Sequence, residues 1–212
     1  MNARIHPTAI IEADVTIGEG TFIGDSVHIR HSSSIGTESI VGGKTYIAYN
    51  VAIGARVKIN ANVYICPGVS IEDGVLIGAH AVFTSDRFPR AATPDLQHLR
   101  SSDPGEHTFK TRVGKGATIG AAAVIGPGIS IGDFAMVGMG TVLTRSVEPY
   151  HLVSGSPGRS VGCVCRCGLL IAHFTSERRH YEHLCLACGT AFTIDGTRVR
   201  ELHVSESHVA AG

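Results

Sequence analysis

Aliphatic residues recur at every sixth position from the start of the chain. The series runs Ile5, Ile11, Ile17, Ile23, Ile29, Ile35, Val41, Ile47, Ile53, Ile59, Ile65, Ile71, Ile77 and Phe83, and none of these positions is polar. Two residues before each apex stands a small or β-branched residue, as at Val15, Thr21, Val27, Ser33, Ser39, Thr45, Val51, Val57, Val63, Val69, Val75 and Ala81. Glycine often follows the apex, as at Gly18, Gly24, Gly36, Gly42, Gly54 and Gly78. A bulky side chain every six residues fills the axis of a narrow tube, and the small residue before it leaves it room. β-Branched residues suit short extended segments. Gly and Asn supply corners. No single repeat can bury its own apolar side, so stacked coils make the core. Three such strands close a triangular coil of eighteen residues, and coils should lie about 4.8 Å apart, the interstrand spacing. The predicted class is all-β, a parallel β-helix.

The register lapses after Phe83 and returns at Val113, Ile119, Ile125, Ile131, Val137 and Leu143. Between them, residues 84–112 carry Pro89, Pro94 and Pro104, with several charges and no repeat. So long a loop in a compact domain is usually functional or disordered. On a tube with flat walls, a protruding loop is the simplest way to make a concave site. The expected organisation is a β-helix over 1–145 with the loop at 84–112. A closing segment at 146–160, a small cysteine-rich domain at 161–204 and a disordered tail at 205–212 would follow.

Composition narrows the function. Eighteen basic residues balance eighteen acidic ones, which argues against a nucleic-acid or membrane-surface partner. The start lacks an apolar stretch of signal-peptide length, and no run approaches the ~18 residues of a membrane span. Five of the six cysteines fall between 163 and 188, at spacings that suggest a metal site rather than a disulfide framework. The expected compartment is a reducing cytoplasm.

The repeat resembles that of the hexapeptide transferases, whose β-helix is left-handed. The closing stretch Val147-Glu148-Pro149-Tyr150-His151-Leu152-Val153-Ser154-Gly155-Ser156-Pro157-Gly158-Arg159 is similar to their terminal "V-P-x-Y-x-L-V-x-G-x-P-A-R" pattern, with Gly158 for the usual Ala. A narrower resemblance lies in Val57-Lys58-Ile59-Asn60-Ala61-Asn62-Val63, in Val82-Phe83-Thr84-Ser85-Asp86-Arg87-Phe88-Pro89-Arg90 and in Lys115-Gly116-Ala117-Thr118-Ile119-Gly120-Ala121. These look like segments of bacterial N-acetyltransferases that act on nucleotide-linked 3-amino sugars. Asn60 stands for Gln, Ala61 for Asn, and Ser85 for an Asn held to position the sugar. These departures bear on substrate more than on reaction.

The resemblance implies acyl transfer from acetyl-CoA to an amine, with a nucleotide sugar, an acyl-CoA and two further copies in a homotrimer as the expected partners. The attacking amine must be neutral and must lose its proton, so a positioned base helps. Donors to the thioester oxygen help the intermediate form. His80 is the candidate base. Asn62 lies eighteen residues earlier and should stack on it, one coil away, just before the loop leaves. The plainer reading of His80 is a wall histidine that meets only solvent. His28, Asn60, Ser85, Asp86 and Arg90 are candidate substrate contacts, and Arg90 suits a diphosphate. By resemblance, Lys115, Gly120, Ala121, Gly138, Met139 and Arg159 are candidate coenzyme contacts.

Cys165-x-Cys167-Gly168 and Cys185-x-x-Cys188-Gly189 offer four thiolates. Such a set closes a tetrahedral structural zinc site with no open position, and it looks like a zinc ribbon. Cys163 is left out of the set, His183 is a rival ligand, and Cys66 has no assigned role. Two other functions stay open at this stage. One is O-acetyl transfer to a sugar or serine hydroxyl. The other is a carbonic-anhydrase-like metalloprotein in which His28, His31 and His80 converge between subunits.

Overall fold

The computed structural model describes residues 2–101, 108–177 and 179–202. Twenty short strands, from Arg4–Ile5 to Val142–Leu143, wind into a parallel β-helix of triangular section. Within each run of repeats a strand pairs with the one eighteen residues on, as Arg4 with Phe22, Ile10 with His28 and Thr16 with Ser34, and across the break the partner is forty-two residues on, as Leu76 with Thr118. The coil length read from the sequence therefore holds. The first wall carries Phe22–Ile23, Lys58–Ile59, Leu76–Ile77, Thr118–Ile119 and Met136–Val137. The second carries His28–Ile29, Tyr46–Ile47, Tyr64–Ile65, Val82–Phe83, Val124–Ile125 and Val142–Leu143. The third carries Ser34–Ile35, Ala52–Ile53, Val69–Ile71, Thr111–Val113 and Ser130–Ile131.

The apex series forms the axis, and Ile23, Ile47, Ile65, Ile77, Phe83, Ile119 and Ile125 are all fully buried. The positions two residues earlier include Thr21, Ser33, Ser39 and Thr45, which are buried although polar. Their hydroxyls are satisfied by the next coil: Thr21 donates to the Gly36 carbonyl at 2.8 Å and accepts from the Ser39 amide at 3.0 Å. Ser33 and Thr45 bond the next coil likewise. A small hydroxyl thus fits beside a large aliphatic without leaving an orphaned group. The first coil is less covered, with Ile5 46% and Ile10 57% exposed.

Removing one axial side chain should be felt. Ile65→Ala is expected to destabilise the fold by roughly 2–5 kcal/mol, the usual range for emptying a buried aliphatic site. Thr16→Ala, on the outer face of its strand, should be nearly neutral. Thermal unfolding of the two variants checks both; equal midpoints would contradict this picture of the axis.

The excursion leaves after Val82–Phe83 and returns at Thr111–Val113. Thr111 and Arg112 therefore belong to the coil, and the loop is slightly shorter than the sequence pattern suggests. Val69, Ser70 and Ile71 pair directly with Thr111, Arg112 and Val113, so the tube continues unbroken beneath the loop. The loop has its own order: Asp86 bridges Thr108, Ala92 bridges Leu99, and Arg87 lies over the Phe109 ring at 4.9 Å.

After the last coil, His151–Gly155 adds to the first wall, pairing Leu152 with Met136 and Val153 with Val137. It then turns back antiparallel into Gly158–Val164, which runs on to Leu170–His173. The Gly158–Val164 strand crosses the boundary placed at 160, so the closing segment and the cysteine-rich domain share a sheet. A second sheet joins His180–Leu184, Ala191–Asp195 and Arg198–Leu202. The tail expected to be disordered, 205–212, lies outside the described residues. Among the described residues, no helix is long and apolar enough to cross a membrane.

Candidate active site

The corner between the first and second walls gathers most of the residues singled out for chemistry. One position on it recurs every coil in the left-handed region: Ser26, Lys44, Asn62, His80 and Ala122 have φ of 52, 59, 60, 61 and 56°, and Gly140 has 67°. The His80 amide donates to the Ala61 carbonyl at 3.2 Å, and the Ala122 amide donates to the Ala79 carbonyl at 2.9 Å. Asn62 and His80 are thus neighbours on adjacent coils, as the eighteen-residue spacing requires. Both are exposed.

The corner changes character at His80. On the N-terminal side it carries Gly42-Gly43-Lys44, then Asn60-Ala61-Asn62, so polar side chains stand at Lys44, Asn60 and Asn62. On the C-terminal side it carries Gly120-Ala121-Ala122 and then Gly138-Met139-Gly140. Packing demands Gly78 and Gly120 on this corner. A Cβ on Gly120 would lie 2.5 Å from the Met139 nitrogen, and one on Gly78 would collide with the Ala121 amide. This corner, free of polar side chains and carrying the exposed Met139, ends at the closing hairpin, where the Gly138 amide donates to the Val153 carbonyl at 2.8 Å. Arg159 pairs in register with Ser154 there, exposed, with its guanidinium donating only to the Gly158 carbonyl at 2.8 Å.

Ser85, Asp86 and Arg90 open the loop at the other edge of the second wall. The Ser85 carbonyl accepts from the Phe109 amide at 3.0 Å, tying the two ends of the loop together. The Ser85 side chain hydrogen-bonds to Cys66, a thiol that burial pushes up to about 11. Asp86 caps the turn by accepting from the Phe88 amide at 3.0 Å, and Arg90 is exposed beside it. A neutral, buried Cys66 at the root of the loop acts as packing.

Two predicted contacts stand apart within one chain. Lys115 lies on the corner between the third and first walls, where its amide donates to Asp133 at 3.2 Å. His28 faces out from the second wall three coils before His80 and bonds Glu12 at 2.8 Å. Arg30 pairs with the same carboxylate at 2.6 Å and holds it down at about 2. His28, His31 and His80 occupy different columns and form no cluster within one chain. Among the described residues, the one group able to hold a metal is Cys165, Cys167, Cys185 and Cys188.

Those four sulfurs all lie within 4.8 Å of one another, with Cys165 and Cys188 at 3.3 Å and Cys167 and Cys185 at 3.7 Å. A tetrahedron with Zn–S of ~2.3 Å has edges of ~3.8 Å, so the thiols fit a zinc ion. Gly168 and Gly189, with φ of 89 and 73°, make the knuckle turns. Cys163 is buried in the Gly158–Val164 strand and His183 lies in His180–Leu184, both outside the group.

Sequence reasoning missed how this small domain is docked. Tyr150 donates to Glu201 at 2.5 Å, and Arg166 pairs with the same carboxylate at 2.9 Å. Tyr150 stacks on Phe134 of the last coil and meets Phe192 edge-on. His151, 6% exposed, spans Ser160 at 2.9 Å and the Thr197 carbonyl at 2.8 Å. Burial pushes this imidazole below its ordinary pKa.

Comparison with known proteins agrees with the repeat. The bacterial transferase hexapeptide model matches residues 14–49 and 50–85, and the hexapeptide repeat of succinyl-transferase matches 32–67 and 110–145. A 58-residue stretch is 48% identical to dTDP-3-amino-3,6-dideoxy-alpha-D-galactopyranose 3-N-acetyltransferase of Aneurinibacillus thermoaerophilus, covering 27% of this chain and 30% of that protein. Another, of 75 residues, is 41% identical to chloramphenicol acetyltransferase of Agrobacterium fabrum, covering 35% and 36%. The chain thus spans about a third of the length of these relatives. Among solved structures, the fold is similar to AntD, an N-acyltransferase from Bacillus cereus in complex with dTDP and coenzyme A. That match has a TM-score of 0.61 and 21% identity, over 72% of this chain and 84% of that one.

Proposed function

From a chain that belongs to the hexapeptide-repeat proteins, we propose an acetyl-CoA-dependent N-acetyltransferase that acts on the amino group of a nucleotide-linked amino sugar, a 3-amino-deoxy sugar in particular. The observation that carries this reading is the step at His80. A corner of Gly, Ala and the exposed Met139 leads from Arg159 and the closing hairpin to an exposed histidine and asparagine, one strand of the second wall away from the root of the long loop. This side, free of polar side chains, suits an extended pantetheine arm, with Gly138, Met139, Gly120 and Ala121 beneath it and Arg159 near a coenzyme phosphate. The N-terminal side, with Asn60 and Asn62, is left for the acceptor, and Arg90 of the loop meets its diphosphate. The similarity to a 3-N-acetyltransferase of an amino-sugar nucleotide supports the same acceptor class.

In this reading the amine attacks the thioester carbonyl and a tetrahedral intermediate forms. The C–S bond breaks, the coenzyme leaves as thiolate, and the ammonium proton passes through His80. Asn62 donates to the acceptor and fixes its approach. Holding both substrates on one corner supplies orientation. Lys115 and His28 act from neighbouring copies in a homotrimer. The second wall presents Ile10, His28, Tyr46, Tyr64, Val82, Val124 and Val142 outward, and the first presents Phe22, Ile40, Leu76 and Met136 beside Arg4, Lys58 and Thr118, whereas the third presents Thr16, Ser34, Ala52, Ser70, Arg112 and Ser130. The first wall and the later coils of the second, at Val124 and Val142, suit burial between subunits, which leaves the Tyr46–Tyr64 face outside that contact. Cys165, Cys167, Cys185 and Cys188 would hold a structural zinc, whose thiolate ligands fit a reducing cytoplasm.

A thiol-release assay with acetyl-CoA tests the reading. Nucleotide-linked 3-amino sugars should release coenzyme A, and their 3-hydroxy counterparts should not. Turnover of hydroxyls in preference to amines would favour O-acetyl transfer, the reading that the similarity to chloramphenicol acetyltransferase supports. No turnover with either would contradict both.

A further inference from the structure

The outer face of the second wall carries an aromatic stack that the reaction as described does not use. Tyr46 and Tyr64, on adjacent coils, have ring centroids 5.3 Å apart and planes within 6° of parallel. The stack is anchored below. His28 meets Tyr46 edge-on at 5.4 Å, and the Tyr46 hydroxyl accepts from Arg30 at 3.1 Å. Arg30 is itself held by Glu12. The stack ends above, because Tyr64 pairs next with Val82, whose short side chain cannot continue it. Tyr64 is 44% exposed. Val82 lies between His80 at one corner and Thr84 and Ser85, where the loop begins, at the other. The exposed part of the Tyr64 ring, which reaches farther out than Val82, therefore lies one coil before the level of the candidate base.

We propose that Tyr64 is a specificity-determining residue, whose free face takes the nucleobase of the acceptor and continues the Tyr46–Tyr64 stack. This rests on the acetyltransferase reading, because the corner of Gly, Ala and Met139 on the C-terminal side of His80 sends the coenzyme one way and the acceptor the other. The N-terminal side is the side of the stack. A planar base suits a parallel ladder already set at near stacking distance, and stacking tolerates different bases because each has a π face. Tyr46, fixed by Arg30, keeps the platform oriented before the ligand arrives, which lowers the entropy lost on binding.

The chain has five tyrosines and no tryptophan, so its ultraviolet emission reports tyrosine alone. Titration of the full-length protein with UDP, dTDP and GDP should quench that emission. Tyr64→Leu should weaken the binding of these diphosphates, measured by calorimetry, by about tenfold or more. Tyr64→Phe should restore it. With an amino-sugar nucleotide, Tyr64→Leu should raise the acceptor KM far more than it lowers kcat, and the KM for acetyl-CoA should stay put. Unchanged diphosphate binding in Tyr64→Leu, with acetyl transfer intact in the wild type, would overturn the proposal and leave the acetyltransferase reading standing. A variant that dissociates by light scattering while binding diphosphates normally would also overturn it, making the stack a subunit contact. A wild-type protein that neither binds diphosphates nor releases thiol would overturn both.

Discussion

Replacing His80 with Asn is expected to lower kcat for acetyl transfer by about 10²- to 10⁴-fold, the usual contribution of a positioned general base. The thermal midpoint should hardly move. The corner position demands φ near +60°, which costs most residues but is tolerated by Asn. Asn62, one coil earlier, already occupies the same position with φ of 60° against 61° for His80. The substitution therefore removes the imidazole and keeps the backbone. His80→Ala has a precedent in Ala122, the next residue of the column. Steady-state kinetics beside thermal unfolding separates chemistry from folding. Full activity in His80→Asn would move the proton to the coenzyme thiolate and strip His80 of its role.

Removing the metal ligands should have the second large effect. Four thiolates closing on zinc typically supply about 10–16 kcal/mol of binding free energy to small domains. The hydrophobic centre around Cys165, Cys185 and Phe192 is small, so the metal is expected to organise the domain. Metal analysis should find one zinc per chain, lost in Cys165→Ser and in Cys188→Ser. Chelation should expose His180–Leu184 and Ala191–Asp195 to proteolysis while the β-helix stays intact. The Tyr150–Glu201 and Arg166–Glu201 contacts should be lost with it. Truncation after residue 160 is a poorer test, because it cuts through Gly158–Val164, a strand of the first wall's sheet. A zinc content unaffected by both serine variants would contradict this assignment.

Much of this architecture was legible because the repeat is covalent arithmetic. A period of six sets three walls, and eighteen residues return the chain to the same point on the next coil. That ruler alone put Asn62 beside His80. It also aligns Tyr46 with Tyr64 on the outer face of the second wall, where the parallel stacking of the rings is a matter of side-chain rotamer that the spacing does not give. The same ruler places Lys115. Continuing the register across the break puts it at the corner of Asp73 and Asp133, away from His80 within one chain. The loop's internal bridges follow no period and had no signal. Docking of the cysteine-rich domain was equally hidden: Tyr150 reaches Glu201 across fifty-one residues, and a single glutamate at that distance carries no pattern. His151 lay in plain sight within the closing segment. Nothing in a lone histidine announces burial against Ser160 and Thr197.

The central claim is that the chemistry sits where the repeat breaks, with the coenzyme on the corner of Gly, Ala and Met139. A crystal structure with coenzyme A tests this most directly. The coenzyme should run from Arg159 along Gly138 and Ala121, its sulfur ending within reach of His80. A sulfur placed on the third wall, or at the corner that carries Lys115 of the same chain, would contradict the account.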